Sequence, residues 1–374
     1  MKLRTIALAA SAAILALSCA KVSDVTRIEG RVAADGIDQV SVSITDVLDT
    51  LVSVTDGKFS LEIPTDITRI GLISTSRYSV EFIPDGTSLK VTLADESTVK
   101  SSSPKISLQE RYNEYNAYEN EFASAISNKR KALMADDSLS DQEIREEFYA
   151  FYSEQHDKYE QYSLQLLDEN PSSVLSLFIL PSLRYGMSDE QLNHYLESVP
   201  ENLLAEDDIA DIVKAVRARE NTAPGKQFVD FEVETVVATT RSIPPQPIYG
   251  TVRFSDYVGK GKYVLVDFWS PWCGPCCAAM PYIKAVYEKY KGEKFDVLSI
   301  AVWEREPFEV TYNRMVELEM DWTTINNAKN IPTEIYGIDG IPHLMLIGPD
   351  GIILERGLSD TELDEVVSRY VSAD

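Results

Sequence analysis

Between residues 25 and 99, apolar and polar side chains alternate with a period of two. Val40-Ser41-Val42-Ser43-Ile44 and Lys58-Phe59-Ser60-Leu61-Glu62-Ile63 each place their apolar residues on one face of a strand. Asp56-Gly57 and Pro84-Asp85-Gly86 supply turn chemistry between such runs. Residues 19–103 are therefore expected to form an all-β sandwich. After Ser101-Ser102-Ser103-Pro104 the spacing changes to three and four. Tyr112, Tyr115, Tyr118, Phe122 and Ile126 form one stripe; Phe148, Tyr152, Tyr159, Tyr162 and Leu166 form a second. Ser140-Asp141-Gln142-Glu143 is a capping box, and Ser188-Asp189-Glu190-Gln191 opens another short helix. Residues 104–221 read as a central helical region, its aromatic stripes assigned to packing between long antiparallel helices rather than to a ligand pocket.

The pattern changes again near Ala223-Pro224-Gly225. Phe231-Glu232-Val233 and Val252-Arg253-Phe254 flank an insertion holding Ile243-Pro244-Pro245-Gln246-Pro247. The run Tyr263-Val264-Leu265-Val266-Asp267-Phe268-Trp269 reads as a buried strand, and after it Ile283, Val286, Tyr287 and Tyr290 share one helical face. Residues 295–302 predict a buried central strand, 344–347 and 352–354 a hairpin, and 361–371 a closing helix. Residues 222–374 thus predict an α/β domain at the end of a multidomain chain.

Length and charge narrow the picture. A chain of 374 residues fits two or three domains. A net charge of −25 argues against nucleic acid and against a peripheral hold on anionic lipid, and describes a solvated surface. His156, His194 and His343 stand far apart, so a metal site of several histidines is not expected. At the start, Lys2 and Arg4 precede an apolar run over 6–17 that is short for a membrane span. Ala16-Leu17-Ser18-Cys19 resembles a bacterial lipobox, with Ala16 where Leu is commoner. Residues 1–18 are expected to be a lipoprotein signal peptide and Cys19 the lipidated residue. The mature chain would then work outside the cytoplasm.

The remaining cysteines, Cys273, Cys276 and Cys277, lie within five residues and staple nothing distant. They sit at a strand-to-helix turn in Trp272-Cys273-Gly274-Pro275-Cys276. Unpaired N–H groups at a helix start stabilise a thiolate, so Cys273 is expected to be the nucleophile and Cys276 the resolving thiol. Gly274 and Pro275 allow the tight entry into the helix. The competing reading is half of a zinc site, which needs a second ligand pair that this chain lacks. Cys277 is rotated about 100° from Cys276 on a helix and is expected to be a bystander thiol. Asp267 is either an exposed strand-end carboxylate or a buried acid with a raised pKa.

These motifs carry a resemblance. Ala223-Pro224, Val266-Asp267-Phe268-Trp269 before Trp272-Cys273-Gly274-Pro275-Cys276, Pro281, and Gly340-Ile341-Pro342 before the hairpin resemble the TlpA/ResA branch of thioredoxin-like proteins. That branch comprises extracytoplasmic thiol–disulfide oxidoreductases. The whole chain is similar to a lipoprotein type with an N-terminal β-domain of unknown function, and Asn170-Pro171 before an apolar helix is typical of that type. The resemblance implies a thioredoxin fold over 222–374 and a cis Pro342 packed against the disulfide. It implies an Ile341 backbone open to an extended substrate, Asp267 as the base for Cys276, and Trp272 with Trp269 as site walls. No metal, flavin or nucleotide is expected, since no phosphate-binding Gly-rich loop appears in the sequence. The implied partners are protein thiols and disulfides, with a membrane thiol carrier feeding electrons. The implied role is that of a periplasm-facing reductant, in cytochrome c maturation or disulfide repair; direction and membrane stay open. Ala278, Ala279 and Met280 stand where the family often has Glu, His343 where Thr is commoner, and Cys277 where a basic residue is usual. Two rivals remain. One is a peroxiredoxin-type thiol peroxidase, whose Pro-x-x-x-Thr/Ser-x-x-Cys arrangement is not seen around Cys273. The other is a surface binding lipoprotein with a secondary redox site.

Overall fold

The computed structural model describes residues 23–241 and 246–372. Cys19, residues 1–18 and most of the proline-rich insertion lie outside the described residues. The chain divides into two compact units between Ile179 and Leu180.

In the first unit the period-two alternation becomes eight strands: β1 (Val25–Val32), β2 (Gln39–Ile44), β3 (Leu48–Ser53), β4 (Lys58–Pro64), β5 (Gly71–Ser74), β6 (Ser79–Phe82), β7 (Ser88–Leu93) and β8 (Thr98–Ser101). They form two four-stranded sheets, ordered β4-β1-β7-β8 and β3-β2-β5-β6. Inward residues of both, among them Ile28, Val42, Phe59, Ile73 and Leu89, make one core. Two long helices follow, α1 (Leu108–Met134) and α2 (Asp141–Glu169). The second starts at the predicted capping box, with Ser140 and Glu143 bonding reciprocally. Tyr118 and Phe122 of α1 lie against Tyr159 of α2, and the Tyr115 and Tyr159 hydroxyls meet at 2.6 Å. The helix α3 (Ser176–Leu183) spans the dividing residues.

The second unit opens with α4 (Asp189–Leu196) and α5 (Asp207–Asn221). The helical stretch expected as one region, 104–221, is therefore shared: α1 and α2 belong to the first unit, α4 and α5 to the second. A hairpin of β9 (Glu232–Thr239) and β10 (Pro247–Arg253) follows. Then come β11 (Tyr263–Trp269), α6 (Gly274–Tyr290), β12 (Phe295–Ala301), α7 (Phe308–Glu317), β13 (Thr323–Ile325), α8 (Ile331–Tyr336), β14 (His343–Ile347), β15 (Ile353–Arg356) and α9 (Leu363–Val371). Five strands make one sheet, β13-β12-β11-β14-β15. β11 runs parallel to β12 and antiparallel to β14.

Burial on both faces explains why β11 is a continuous apolar run and not an alternating one. Leu265 and Trp269 face the core beneath α6 and α9; Val264, Val266 and Phe268 face the opposite core, with Phe231, Phe254 and Tyr336. Asp267 falls on the α6 side by the same parity. The strand's C-terminal end, central in the sheet, is where the site is built.

Candidate active site

β11 ends at Trp269, three residues turn the chain, and Cys273 caps the N-terminus of α6 with extended backbone (φ −82°, ψ 100°). Its Sγ accepts the Cys276 N–H at 3.2 Å, in the place a Ser or Asp oxygen takes at an ordinary cap. Pro275 sits in the first turn, where its missing N–H costs nothing. Cys273 and Cys276 form a disulfide, with S–S 2.08 Å and Cα–Cα 5.3 Å. Cys276 is fully buried, while Cys273 keeps 5% of its surface open. A second thiol arriving from solvent therefore meets Cys273 first. The amide at Sγ and the helix start together favour negative charge on that sulfur.

The Ile341–Pro342 bond is cis, and the Ile341 carbonyl oxygen lies 3.7 Å from Cys273 Sγ. In the disulfide this is a contact, since the sulfur carries no proton; in a reduced Cys273 the thiol has an acceptor there.

Asp267 is 1% exposed. Strand register sets it beside Ser299 of β12 and Leu344 of β14. Its Oδ2 accepts from Ser299 Oγ at 2.8 Å, and Ser299 Oγ accepts from Trp322 Nε1 at 2.9 Å. Oδ1 has no hydrogen-bond partner among the described residues. Burial pushes the carboxyl up to about 7, the Ser299 hydroxyl offsetting only part of the effect. Near neutral pH it therefore populates both its protonated and its ionised form. By strand parity it points to the same side of β11 as Leu265 and Trp269, the side packed beneath α6.

The two tryptophans differ. Trp269 is fully buried and belongs to the core. Trp272 is 43% exposed; its Nε1 donates to the Trp303 carbonyl at 3.1 Å, and the Arg305 guanidinium lies 4.8 Å from its ring centre. Glu304, between those two, is mostly buried and accepts from Thr311 Oγ1 at 3.0 Å; burial raises its pKa. His343 follows the cis-proline, and burial drives its pKa down to about 4, so it is neutral at neutral pH. Cys277 is a free, half-buried thiol whose Sγ lies 3.9 Å from the Pro271 carbonyl.

The structure thus brings Cys273, Cys276, Ile341, Pro342 and Trp272 to one end of β11, with Asp267 on the core face below. Sequence reasoning missed Ser299, Trp322, Trp303 and Arg305. Ser299 carried a faint signal: like Asp267, it is a polar interruption of an apolar strand. The other three become visible only when residues some 20 to 30 positions apart are paired by the sheet.

With this geometry in hand, comparison with known proteins is informative. A family model described as thioredoxin-like matches residues 261–353. The thiol-disulfide oxidoreductase ResA of Geobacillus kaustophilus is 33% identical over 122 residues, covering 32% of this chain and 67% of that protein. ResA of Oceanobacillus iheyensis is 29% identical over 106 residues, covering 28% of this chain and 53% of that protein. Among solved structures, the thioredoxin domain of a thiol-disulfide oxidoreductase from Bacteroides vulgatus is 26% identical, with a TM-score of 0.33, covering 40% of this chain and 98% of that one. The chain belongs to the thioredoxin-like family that includes the ResA thiol-disulfide oxidoreductases. It spans 53% and 61% of the length of the first two curated relatives it matches, and none of these matches covers more than about two fifths of this chain.

Proposed function

We propose that this protein is a thiol–disulfide oxidoreductase that passes electrons to protein disulfides outside the cytoplasm. The observation that carries the reading is the Cys273–Cys276 disulfide at the start of α6, with only Cys273 open to solvent and the carbonyl before a cis-proline against its sulfur.

The reduced pair works in two steps. The Cys273 thiolate attacks one sulfur of a substrate disulfide; that S–S bond breaks, and the leaving thiolate takes a proton from solvent. A mixed disulfide now joins Cys273 to the substrate. Cys276 then loses its proton to the Asp267 carboxylate and attacks Cys273 Sγ; the mixed disulfide breaks and the second substrate sulfur leaves as a thiolate that takes a proton from solvent. Two electrons have moved from the pair to the substrate, and the Cys273–Cys276 bond has re-formed. A thiol reductant outside the chain, a membrane thiol carrier in this reading, returns the pair to the dithiol. The Ile341 backbone and the Trp272 face supply the bed for an extended substrate segment.

Membrane attachment is assigned to a lipid on Cys19, following the lipobox-like Ala16-Leu17-Ser18-Cys19. Among the described residues no helix is long and apolar enough to cross a membrane.

Insulin reduction and non-reducing gels test the chemistry. Cys273→Ser is expected to abolish turnover, and Cys276→Ala to accumulate mixed disulfides with substrate. Full activity in Cys273→Ser would sink the mechanism.

A further inference from the structure

We propose that α5 is a working part of the active site and that Arg219 is the positioning residue through which it sets the loop carrying Ile341. This rests on the function proposed above and adds the substrate class on which the helix acts: protein disulfides presented on an extended segment.

Arg219 lies in the last turn of α5, with 19% of its side chain exposed. It makes three bonds. Nε donates to Asp189 Oδ1 at 2.6 Å; Nη1 donates to Asp339 Oδ2 at 2.6 Å and to the Gly337 carbonyl at 3.1 Å. Gly337 is the left-handed cap that ends α8 (φ 61°), and Asp339 stands two residues before Ile341. A second guanidinium closes the other side. Arg356, from β15, donates Nη2 to the Tyr336 carbonyl at 2.8 Å. Its Nη1 donates to the Thr222 carbonyl at 3.2 Å and the Thr222 hydroxyl at 2.7 Å. Thr222 is the C-cap of α5.

A helix leaves its last carbonyls without amide donors. At the end of α8 two of those carbonyls, on Tyr336 and Gly337, are each taken by a side-chain guanidinium, one from α5 and one from the sheet. The close approach is built in: a Cβ at Gly337 would fall onto the Ala215 carbonyl oxygen and the Arg219 side chain, both on α5. From this clamp the chain runs only four residues, Ile338 to Ile341, to the carbonyl that touches Cys273 Sγ. An exposed ion pair would contribute little to such a loop. Here the guanidinium itself is mostly buried while Asp189 and Asp339 keep 38% and 37% of their side chains exposed, so what fixes the loop is one rigid group bonding two carboxylates and the Gly337 carbonyl at once, not the burial of an ion pair. Residue 219 also lies outside the 261–353 stretch that the thioredoxin-like model matches.

A loop that pairs with substrate backbone matters to a polypeptide disulfide and far less to a small one, which offers no backbone to pair with. The test is steady-state kinetics of the full chain on insulin and on a small aromatic disulfide, for wild type, Arg219→Met and Asp339→Asn. Methionine keeps an apolar stem against Gly337 and removes the guanidinium; Asp339→Asn removes one partner, itself partly exposed. In Arg219→Met the ratio of insulin to small-disulfide kcat/KM is expected to fall about tenfold, the equivalent of one charge-assisted hydrogen bond, with the loss in KM rather than kcat. In Asp339→Asn a smaller fall in the same direction is expected. An unchanged ratio in a folded Arg219→Met overturns the proposal. If that variant does not fold, an unchanged ratio in Asp339→Asn overturns it. A wild type inactive on both disulfides strikes instead at the proposed function.

Discussion

A carboxyl buried in the middle of a mixed sheet, with one oxygen that has no hydrogen-bond partner among the described residues, is pushed toward its protonated form by its surroundings, and Asp267 is such a group. In the folded protein it keeps its proton up to about pH 7; in the unfolded chain it releases it near the ordinary value of 3.8. Between those values the folded state binds more protons, so its contribution to stability falls as pH rises through the window. His343 pulls the other way. It is buried neutral with a pKa of about 4 against an ordinary 6.5, so its contribution rises with pH between those values. Comparing Asp267→Asn with wild type cancels the histidine. The variant is expected to gain on wild type from pH 4 to pH 7 and to level off above. About three pH units at about 1.4 kcal/mol each put the swing on the order of 4 kcal/mol. Urea unfolding of the oxidised proteins across pH reads it, and a pH-independent difference would refute the raised pKa of the buried carboxyl. In stopped-flow assays the same substitution is expected to slow release of the mixed disulfide more than its formation. The sequence left Asp267 with two alternatives, exposed or buried, because position in a strand fixes a side chain's face and not what covers it. The bond to Ser299 and the Trp322 indole behind it needed the β11–β12 register, which no local pattern prints.

At the level of elements, α6 is the part most legible in the sequence. A buried strand, Cys-Gly-Pro-Cys and an amphipathic run specify a capped helix start, and the chain builds it there. The neighbouring cysteine follows from the same geometry. The disulfide joins residues 273 and 276, while the Cys277 sulfur points toward the Pro271 carbonyl. Cys277→Ala is therefore expected to retain at least about half of wild-type turnover, because its sulfur is turned to the Pro271 carbonyl and takes no part in the 273–276 bond. Mass spectrometry of the oxidised wild type should find Cys273–Cys276 as the main crosslink; a dominant Cys273–Cys277 species would make Cys277 part of the working pair. By contrast, α5 was legible only as a helix. Its partners Gly337 and Asp339 are 118 and 120 residues further along, and nothing in its own periodicity announces them.

On the scale of the whole molecule, periodicity located the β-rich, helical and α/β stretches, since each period is set by local backbone geometry. It did not locate the division between compact units. That division follows from which helix packs on which sheet, a matter of long-range contacts, and it falls between Ile179 and Leu180, inside the helical stretch. Attachment belongs to this scale too. If the lipid on Cys19 is the anchor, Cys19→Ala processed at a substitute signal is expected to appear in the soluble fraction with unchanged insulin-reducing activity. Retention in the membrane fraction would contradict the assignment.

The glycine at 337 has a consequence for modularity. Because the helix Asp207–Asn221 lies where a side chain at that position would stand, the redox fold carries a notch shaped for a piece of chain that precedes it. A copy of the domain cut at residue 222, where the family resemblance begins, would present that notch bare, with Gly337 and Asp339 stripped of their Arg219 partner. The transferable cassette in this chain is therefore longer than its recognisable motif. A domain swap or an expression boundary that respects its physics begins upstream of α4, near Leu180.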